Sequence, residues 1–574
     1  MDTLIDDKIP LVIGVTGHRN LHPDEIPLLK KRIKEVFDFF RSNYPHTPLL
    51  LISPLAEGAD RLVAQVAVEE NIRFIVPFPL PESEYRRDFK TKECKEEFNE
   101  LLAKATDHFE LPVLNAGIEI KNSEARHKQY AIVGAYVARH SHILIALWDG
   151  IELETVGGTS QVLQYRLKGD MKGLPEKYRP SNNPLDIVDT GKVCHIYVSR
   201  APDPRFPQSK QLLNYGEYRI LSPESLSDFT TDLKDLRIKD FTSIEQFNCD
   251  VDKYVEHNGR IKFKSIFKND LIERLRTVPA FQTITRLYEV SSALSVENHR
   301  PTDKTILHIL LLGIAMAFSI ELYAHPPWLN VAVEGHPLYL LAIYLILFLV
   351  AYLMLWQANK QEIHLKYLHY RALSEAMRIQ VFWLLSGLNE SLADHYSRKY
   401  RRELGWIRSS LRALSLHNWV NQEECKDLVH ERWIKKQIGY FTNQVEEKRF
   451  TLKWLEITTT VFFISGFLVA SGLLIFSHYL HDYHGLQSSL IIAMVLLPAI
   501  GAALDGYAEK MGYEHDIKRY EPMVELFERA DEELKSSKDK EHYQRLLFEL
   551  GKAALEENCE WVLLHRDRPL DLPK

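Results

Sequence analysis

The residues best suited to chemistry fall in three glycine-containing turns. The first closes the stretch LVIGVTGHRN, where Gly14, Thr16 and Gly17 precede His18 and Arg19. The second lies in SPLAEGADRL, where Glu57, Gly58, Asp60 and Arg61 occupy a turn that opens a helix. The third follows HILIALW: Asp149 and Gly150 lead through a short loop to Gly157, Gly158 and Thr159 at the start of another helix. Glycine lets backbone N–H groups approach an anion closely, and a helix N-terminus adds partial positive charge, so the combination suits phosphate. One such turn is usually no more than a tight turn; three at one sheet edge make a pocket. Arg19 and Arg61 can grip phosphate oxygens in two-pronged fashion, or pair with Glu57 and Asp60 as a structural network. His18 reads as a phosphate donor or loop cap ahead of a general base. Tyr130, four residues after Arg126 on one helix face, is a candidate to stack on a base.

These turns need a scaffold, and the surrounding pattern supplies one. Apolar runs predict strands at Leu11–Val15, Leu49–Ile52, Phe74–Val76, His142–Trp148 and Val193–Val198. Helical patterns lie between them at Glu25–Arg41, Asp60–Glu70, Glu96–Ala105 and Ala125–Arg139. Alternation of this kind implies an α/β, Rossmann-like domain with a mostly parallel sheet. Such sheets bind ligands outside the carboxyl ends of their strands, where all three turns are expected. Glu82, Tyr85, Arg86 and Phe89, behind VPFPLP, either wall the pocket or form a solvated helix face.

The chain has 574 residues, 45% hydrophobic and 26% charged, with a formal net charge of -7. That balance argues against a broad nucleic-acid-binding surface and still permits a local basic pocket. Five cysteines are scattered without CxxC or zinc spacing, which reads as reduced cytosolic thiols. The start MDTLIDDKIP lacks the basic and apolar regions of an export signal.

The second half has a different character. Thr305–Tyr323, Pro337–Trp356, Leu455–Phe476 and Ser488–Leu504 each approach the ~20 apolar residues that cross a bilayer. No Lys or Arg occurs from Thr305 to Asn359 or from Trp454 to Glu509, whereas the segment between the pairs and the tail after Met511 are rich in both. By the positive-inside rule both termini and the central segment are cytoplasmic. Gly313 with Ala317, Gly466 with Ala470 and Ala499 with Ala503 are small-xxx-small pairs that permit close helix contact, in a bundle or a homo-oligomer. His325, His336, His478, His481 and His484 crowd the outer loops, where they serve as metal ligands, pH reporters or simply polar loop residues. The expected organisation is a ligand domain over 1–215, a mostly helical linker over 216–300, and four spans over 301–510 with a cytosolic helical insert at 358–453. A helical tail over 511–574 completes it.

GVTGHR, SPLAEGADRL, VPFPLP with Tyr85 and Phe89, and LIALWDG followed by GGT together resemble the SLOG superfamily, the Rossmann-like group related to LOG phosphoribohydrolases and DprA-type proteins. The membrane half is more loosely similar to SLATT-type helical regions. The resemblance implies a cytosolic domain binding a nucleotide or nucleotide-derived ligand at these turns, with no other cofactor. It also implies a multi-pass effector of the bacterial inner membrane in antiphage immunity. LOG enzymes carry glutamates two and three positions after the glycine-threonine pair, and this chain has Gln161 and Val162. Neither supplies a carboxylate for N-glycosidic cleavage, which favours sensing over hydrolysis. A membrane-tethered enzyme and a membrane scaffold or transport-related protein are the competing readings.

The charge asymmetry makes a direct prediction. Single cysteines at Asn330 and Gln487 should react with an impermeant thiol reagent in intact cells. Labelling within Lys360–Lys453 under the same conditions would reverse the topology.

Overall fold

The computed structural model describes residues 7–113, 123–153, 155–175, 178, 190–200, 214–223, 225–259, 279–329, 336–360, 363–388, 390–401, 404–415, 425–480, 483–536 and 539–566. The chain divides into two compact units. The first holds the described residues of Met1–Lys264, Lys268–Val290 and Ala376–Val420; the second holds those of Ser291–Glu375 and Asn421–Lys574.

The first unit is built on an eight-stranded sheet. Its strands are β1 (Leu11–Gly17), β2 (Leu49–Ile52), β3 (Arg73–Phe78), β4 (Asp107–Glu110), β5 (Ile143–Trp148), β6 (Val193–Tyr197), β7 (Tyr218–Ser222) and β8 (Ser225–Thr230). The spatial order is β4-β3-β2-β1-β5-β6-β7-β8. Pairings from β4 through β6 are parallel, and β7 and β8 are antiparallel. The helices among them are α1 (Ile26–Asn43), α2 (Ala59–Glu69), α3 (Lys92–Lys104), α4 (Ser123–His140) and α5 (Thr159–Lys168). Alternation along the strands divides the core in two. Leu11, Ile13, Val15, Ile143 and Ile145 pack with Ile33, Phe37 and Phe40 of α1 and Phe98 of α3. Val12, Leu50, Leu144 and Ala146 face Ile132 and Val133 of α4 and Val162 of α5. Burial on both faces is why these strands are unbroken apolar runs.

Two expectations about boundaries change. The sheet runs past residue 215 into β7 and β8, inside the stretch read as a helical linker. Those strands, YRILS and SLSDFT, carry mixed polar sequence because they lie toward an edge, so no apolar run announces them. The helix that follows them is α6 (Lys239–Asn258). The central insert also divides: Ala376–Val420 belongs to the sheet-containing unit. There Asp394 is held by Arg139 at 2.7 Å and Arg412 at 2.6 Å. Burial alone would raise the pKa of Asp394, but the two guanidiniums dominate and hold it well below the usual carboxylate range.

The second unit contains helices α7 (Pro279–Ala324), α8 (Leu338–Lys360), α9 (Ile363–Leu385), α10 (Gly405–Leu414), α11 (Lys435–Ile475), α12 (His484–Met511), α13 (Tyr513–Ser536) and α14 (Lys540–Arg566) in chain order, except that α10 and parts of α7 and α9 fall in the first unit. Four helical stretches are long and apolar enough to cross a membrane, within α7, α8, the helix reaching Ile475 and the helix starting at His484. Their apolar side chains are uncovered: Leu345, Ile346, Phe467 and Leu468 are exposed by 58, 60, 70 and 62%. Helices of a water-soluble core would bury these residues. Of the small-residue positions, Gly466 sits at a tight crossing, where a Cβ would meet Pro498 Cγ at 2.5 Å, while Gly313 has open space. Among the described residues no cluster of metal-ligating side chains occurs, and His481 lies outside them.

The helix crossing at Gly466 is open to a direct test. Gly466→Leu should force α11 from α12 and cost ~1–3 kcal/mol by overpacking, read as a lower melting temperature in detergent, whereas Gly313→Leu should have little effect. The sheet unit should also be acid-labile. His142 and His195 are buried and His140 is half-buried, and desolvation lowers the pKa values of His140, His142 and His195 to about 4, about 3 and about 4. The unfolded chain, with histidines near pKa ~6.5, binds more protons at these sites, so the histidines' contribution to stability is intact above pH ~6.5 and falls as pH drops toward 4. His142 Nδ1 accepts from the Val12 N–H at 2.9 Å. His142→Asn keeps an acceptor without titrating and should flatten part of that slope in a pH series of melting temperatures.

Candidate functional site

The three glycine turns converge because of strand order. The chain moves from β1 outward through β2 and β3 to β4, then returns to β5 on the other side of β1. The crevice at that reversal, beyond the carboxyl ends of β1 and β5, is where doubly wound sheets bind ligands. A cavity of about 670 Å³ opens there, lined by Thr16, Gly17, His18 and Arg19 of the first turn, Glu57 and Asp60 of the second, and Gly157, Gly158 and Thr159 of the third. Tyr130 of α4 also lines it.

Close backbone approach fixes the first two turns against each other. The Ala59 N–H, at the start of α2, donates to His18 O at 3.0 Å. Gly58 has φ +82°, and a Cβ on it would meet Arg19 O at 2.2 Å and His18 O at 2.5 Å. Gly17 meets α2 as closely, with Ala59 Cβ 2.3 Å from its would-be Cβ. The third turn is pressed against α4: Gly157, at φ +76°, would place a Cβ 2.7 Å from the Ala131 amide nitrogen. Gly158 then caps α5, its carbonyl accepting the Gln161 and Val162 N–H groups at 3.0 and 3.1 Å, and the N–H groups that open a helix have no partner within it.

Several expected ligands are scaffold instead. Asp149 does not line the cavity. Its carboxylate is buried, 3.0 Å from His18 Nε2 and 2.7 Å from Arg200 Nε, and it accepts the Ile151 N–H at 3.0 Å. Arg61 is 1% exposed. It donates to Leu55 O at 3.1 Å, Cys94 O at 2.8 Å and Glu97 at 2.8 Å, and lies 4.4 Å over the Phe89 ring. Gly14 makes room for α4 and the residue after it, since a Cβ there would meet Val137 Cγ1 at 2.9 Å and Ser141 Oγ at 2.7 Å. Gly58, too, acts on backbone spacing and is not in the lining. Tyr130 donates to Asp88, which also holds Arg126 at 2.5 Å, and the Arg19 guanidinium lies 5.1 Å from its ring. Tyr130 is thus held between an anion and a cation of the same wall.

The remaining lining carries the electrostatics. Burial is the larger influence on His18 and lowers its pKa, with Asp149 opposing, so the neutral ring is favoured. Asp60 is pushed up to about 7 by burial, although the Ala56 backbone N–H and the charges of Arg19 and Arg61 pull the other way. A carboxyl that is half protonated near neutrality can donate to an anionic oxygen as well as accept. Asp88, Lys90, His127 and Arg200 also line the cavity and were not identified from the sequence. His127 carried a usable signal, lying three residues before Tyr130 on a face continued by Gly134 and Val137. Val162 lines the wall; Gln161 is buried, and its side-chain oxygen accepts no hydrogen bond from a described residue.

Comparison with protein-family models gives no match, and comparison with curated proteins gives none. The chemistry of the site therefore rests on its own residues.

Asp60 gives a pH prediction with a definite sign. Its folded pKa lies above its unfolded value near ~3.9, so its own contribution to stability is lost as pH rises from about 4 through about 7, opposite in sign to that of the histidines. Asp60→Asn should remove that loss and raise the melting temperature at pH 8, each tenfold difference in proton affinity being worth ~1.4 kcal/mol.

Proposed function

We propose that this chain is a membrane effector in which the N-terminal pocket senses a nucleotide-derived signal and the helical part gates a pore or membrane disruption, in the manner of bacterial antiphage immunity. The observation that carries the reading is the cavity at the β1/β5 reversal. It combines two backbone-dense turns, the N-terminus of α5 and the cations Arg19 and Lys90, all suited to phosphate, in a volume suited to a nucleotide. In this reading the sensor is cytosolic, both termini are cytoplasmic, and the four apolar helices cross the bacterial inner membrane in a homo-oligomer. Resemblance to SLOG and SLATT regions supports it, through GVTGHR, SPLAEGADRL and LIALWDG with its following GGT. Gln161 and Val162, where LOG enzymes place glutamates, support sensing rather than cleavage.

One observation favours a second reading. Asp60, with Asp88 and His127 on the same cavity, supplies groups that proton transfer uses, and strongly perturbed carboxyls collect at catalytic sites. A membrane-tethered enzyme that processes a nucleotide derivative would use them.

Full-length protein in detergent, offered a panel of mononucleotides, dinucleotides and cyclic oligonucleotides, separates the two. A sensor binds one class and returns it intact; an enzyme converts it. Arg19→Ala should weaken that binding by on the order of 2 kcal/mol or more where the contact is desolvated, and Gly158→Asp should weaken it by setting a carboxylate at the anion position. Unchanged affinity in both folded variants would remove the ligand from this edge of the sheet.

A further inference from the structure

The second unit contains its own cavity, of about 360 Å³, walled by α7, α9, α11, α12, α13 and α14. It lies near the ends of three apolar stretches, on the side flanked by basic residues. Ile306 is the second residue of the stretch starting at Thr305, Lys510 follows Leu504 by six residues, and Lys448 precedes Leu455 by seven. At ~1.5 Å per helical residue the two lysine offsets are about 10 Å, while Ile306 lies at the edge of its own stretch. A bilayer is ~40–45 Å thick with headgroups and ~30 Å without, so on the membrane reading the cavity reaches from the edge of the apolar stretches across the headgroup layer.

Arg371 determines what the cavity suits. Its guanidinium is 3.8 Å from the centre of the Trp561 ring, and its terminal nitrogens lie 3.2 Å from the Tyr367 hydroxyl and 3.4 Å from the Tyr440 hydroxyl. Among the described residues no carboxylate oxygen lies within 4 Å of it. A guanidinium has five N–H donors in a planar fork, and two phenol oxygens leave part of that fork for a ligand. Stacking on the buried Trp561 holds the fork in place, so little rotamer freedom remains to be lost on binding. Lys448 and Lys510 add positive charge. The lining holds two carboxylates: Glu375, one turn along α9, attracts Arg371 at longer range, and Asp516 pairs with Lys448 at 2.9 Å and Arg519 at 3.3 Å, so Arg371 carries most of the charge open to a ligand.

We propose that this cavity binds a phosphoryl group, with Arg371 as its principal ligand and Lys448 and Lys510 as supporting charge. Two sources can deliver that group: the headgroup of an anionic phospholipid, or a free phosphate in the cytosol. The depth of the cavity favours the lipid, an assignment that rests on the membrane reading; the phosphoryl chemistry does not. A headgroup bound here would tie the ends of three apolar helices to one anion.

Native mass spectrometry of the full-length protein in a neutral detergent tests this, using phosphatidylglycerol, phosphatidylcholine of the same chain length, and inorganic phosphate. The expected result is retention of phosphatidylglycerol but not phosphatidylcholine, weakened about tenfold (~1.4 kcal/mol) in Arg371→Gln and partly restored in Arg371→Lys. If inorganic phosphate binds with the same Arg371 dependence and displaces the lipid, the phosphoryl site stands and its source is the free anion. Failure of folded wild-type protein to hold either, or equal retention by Arg371→Gln, overturns the proposal. Should the glutamine variant not fold, Lys510→Gln at the helix end reads the same charge dependence. Alkaline carbonate extraction of membranes is run in parallel. Release of the protein into the soluble fraction sinks the membrane reading and the lipid source, while the phosphate measurement still decides the site.

Discussion

The reversal of strand order at β1 is the constraint on which the sheet unit depends. Because β2 and β5 flank β1 on opposite sides, the turns that follow these three strands must share one crevice. Sharing it requires backbones to pass closer than side chains allow, so Gly17, Gly58 and Gly157 sit where any Cβ would collide with a neighbouring turn or helix. The glycines thus serve the fold first. The exposed N–H groups and the α5 terminus that suit an anion are consequences of the same compression.

Buried charge is handled in two ways in this unit, and the difference separates scaffold from site. Arg61 and Asp149 have their partners built in: backbone carbonyls and Glu97 for one, His18, Arg200 and a backbone N–H for the other. Burying either without them would cost several kcal/mol, ~3–5 for a broken buried pair. Asp60 has the Ala56 backbone N–H and the charges of Arg19 and Arg61 beside it, yet burial outweighs them and drives it toward the neutral acid. A group left under-compensated at the wall of a cavity is a candidate to meet a ligand.

Much of this was legible in the sequence, and the same physics accounts for what was not. β1, β2, β3, β5 and β6 are buried on both faces and so appear as apolar runs. β4 (DHFE), β7 and β8 lie at or near the sheet edges, where half-exposed positions dilute the pattern. The turns following β1, β2 and β5 were identifiable from glycine spacing, and the structure brings them together. What spacing cannot tell is which way a side chain points. Arg61 and Asp149 turn inward to satisfy neighbours, Tyr130 reaches Asp88, and Arg200 arrives from beyond β6, far along the chain from the Asp149 it pairs with. The apolar spans were visible because a run of ~20 apolar residues matches the thickness of a bilayer and exceeds what the buried face of a soluble helix requires. The division of the central insert was not, because α10 is amphipathic whether its partner is a sheet domain or another helix.

The central claim is that occupancy of the β1/β5 cavity changes the membrane part, and a ligand can shift that equilibrium only through different affinities for its two states. Dye release from liposomes carrying the purified full-length protein measures this most directly. One nucleotide class should trigger release and be recovered unchanged, and Arg19→Ala should raise the concentration required. Release independent of any nucleotide, or release that tracks nucleotide consumption, would contradict the claim.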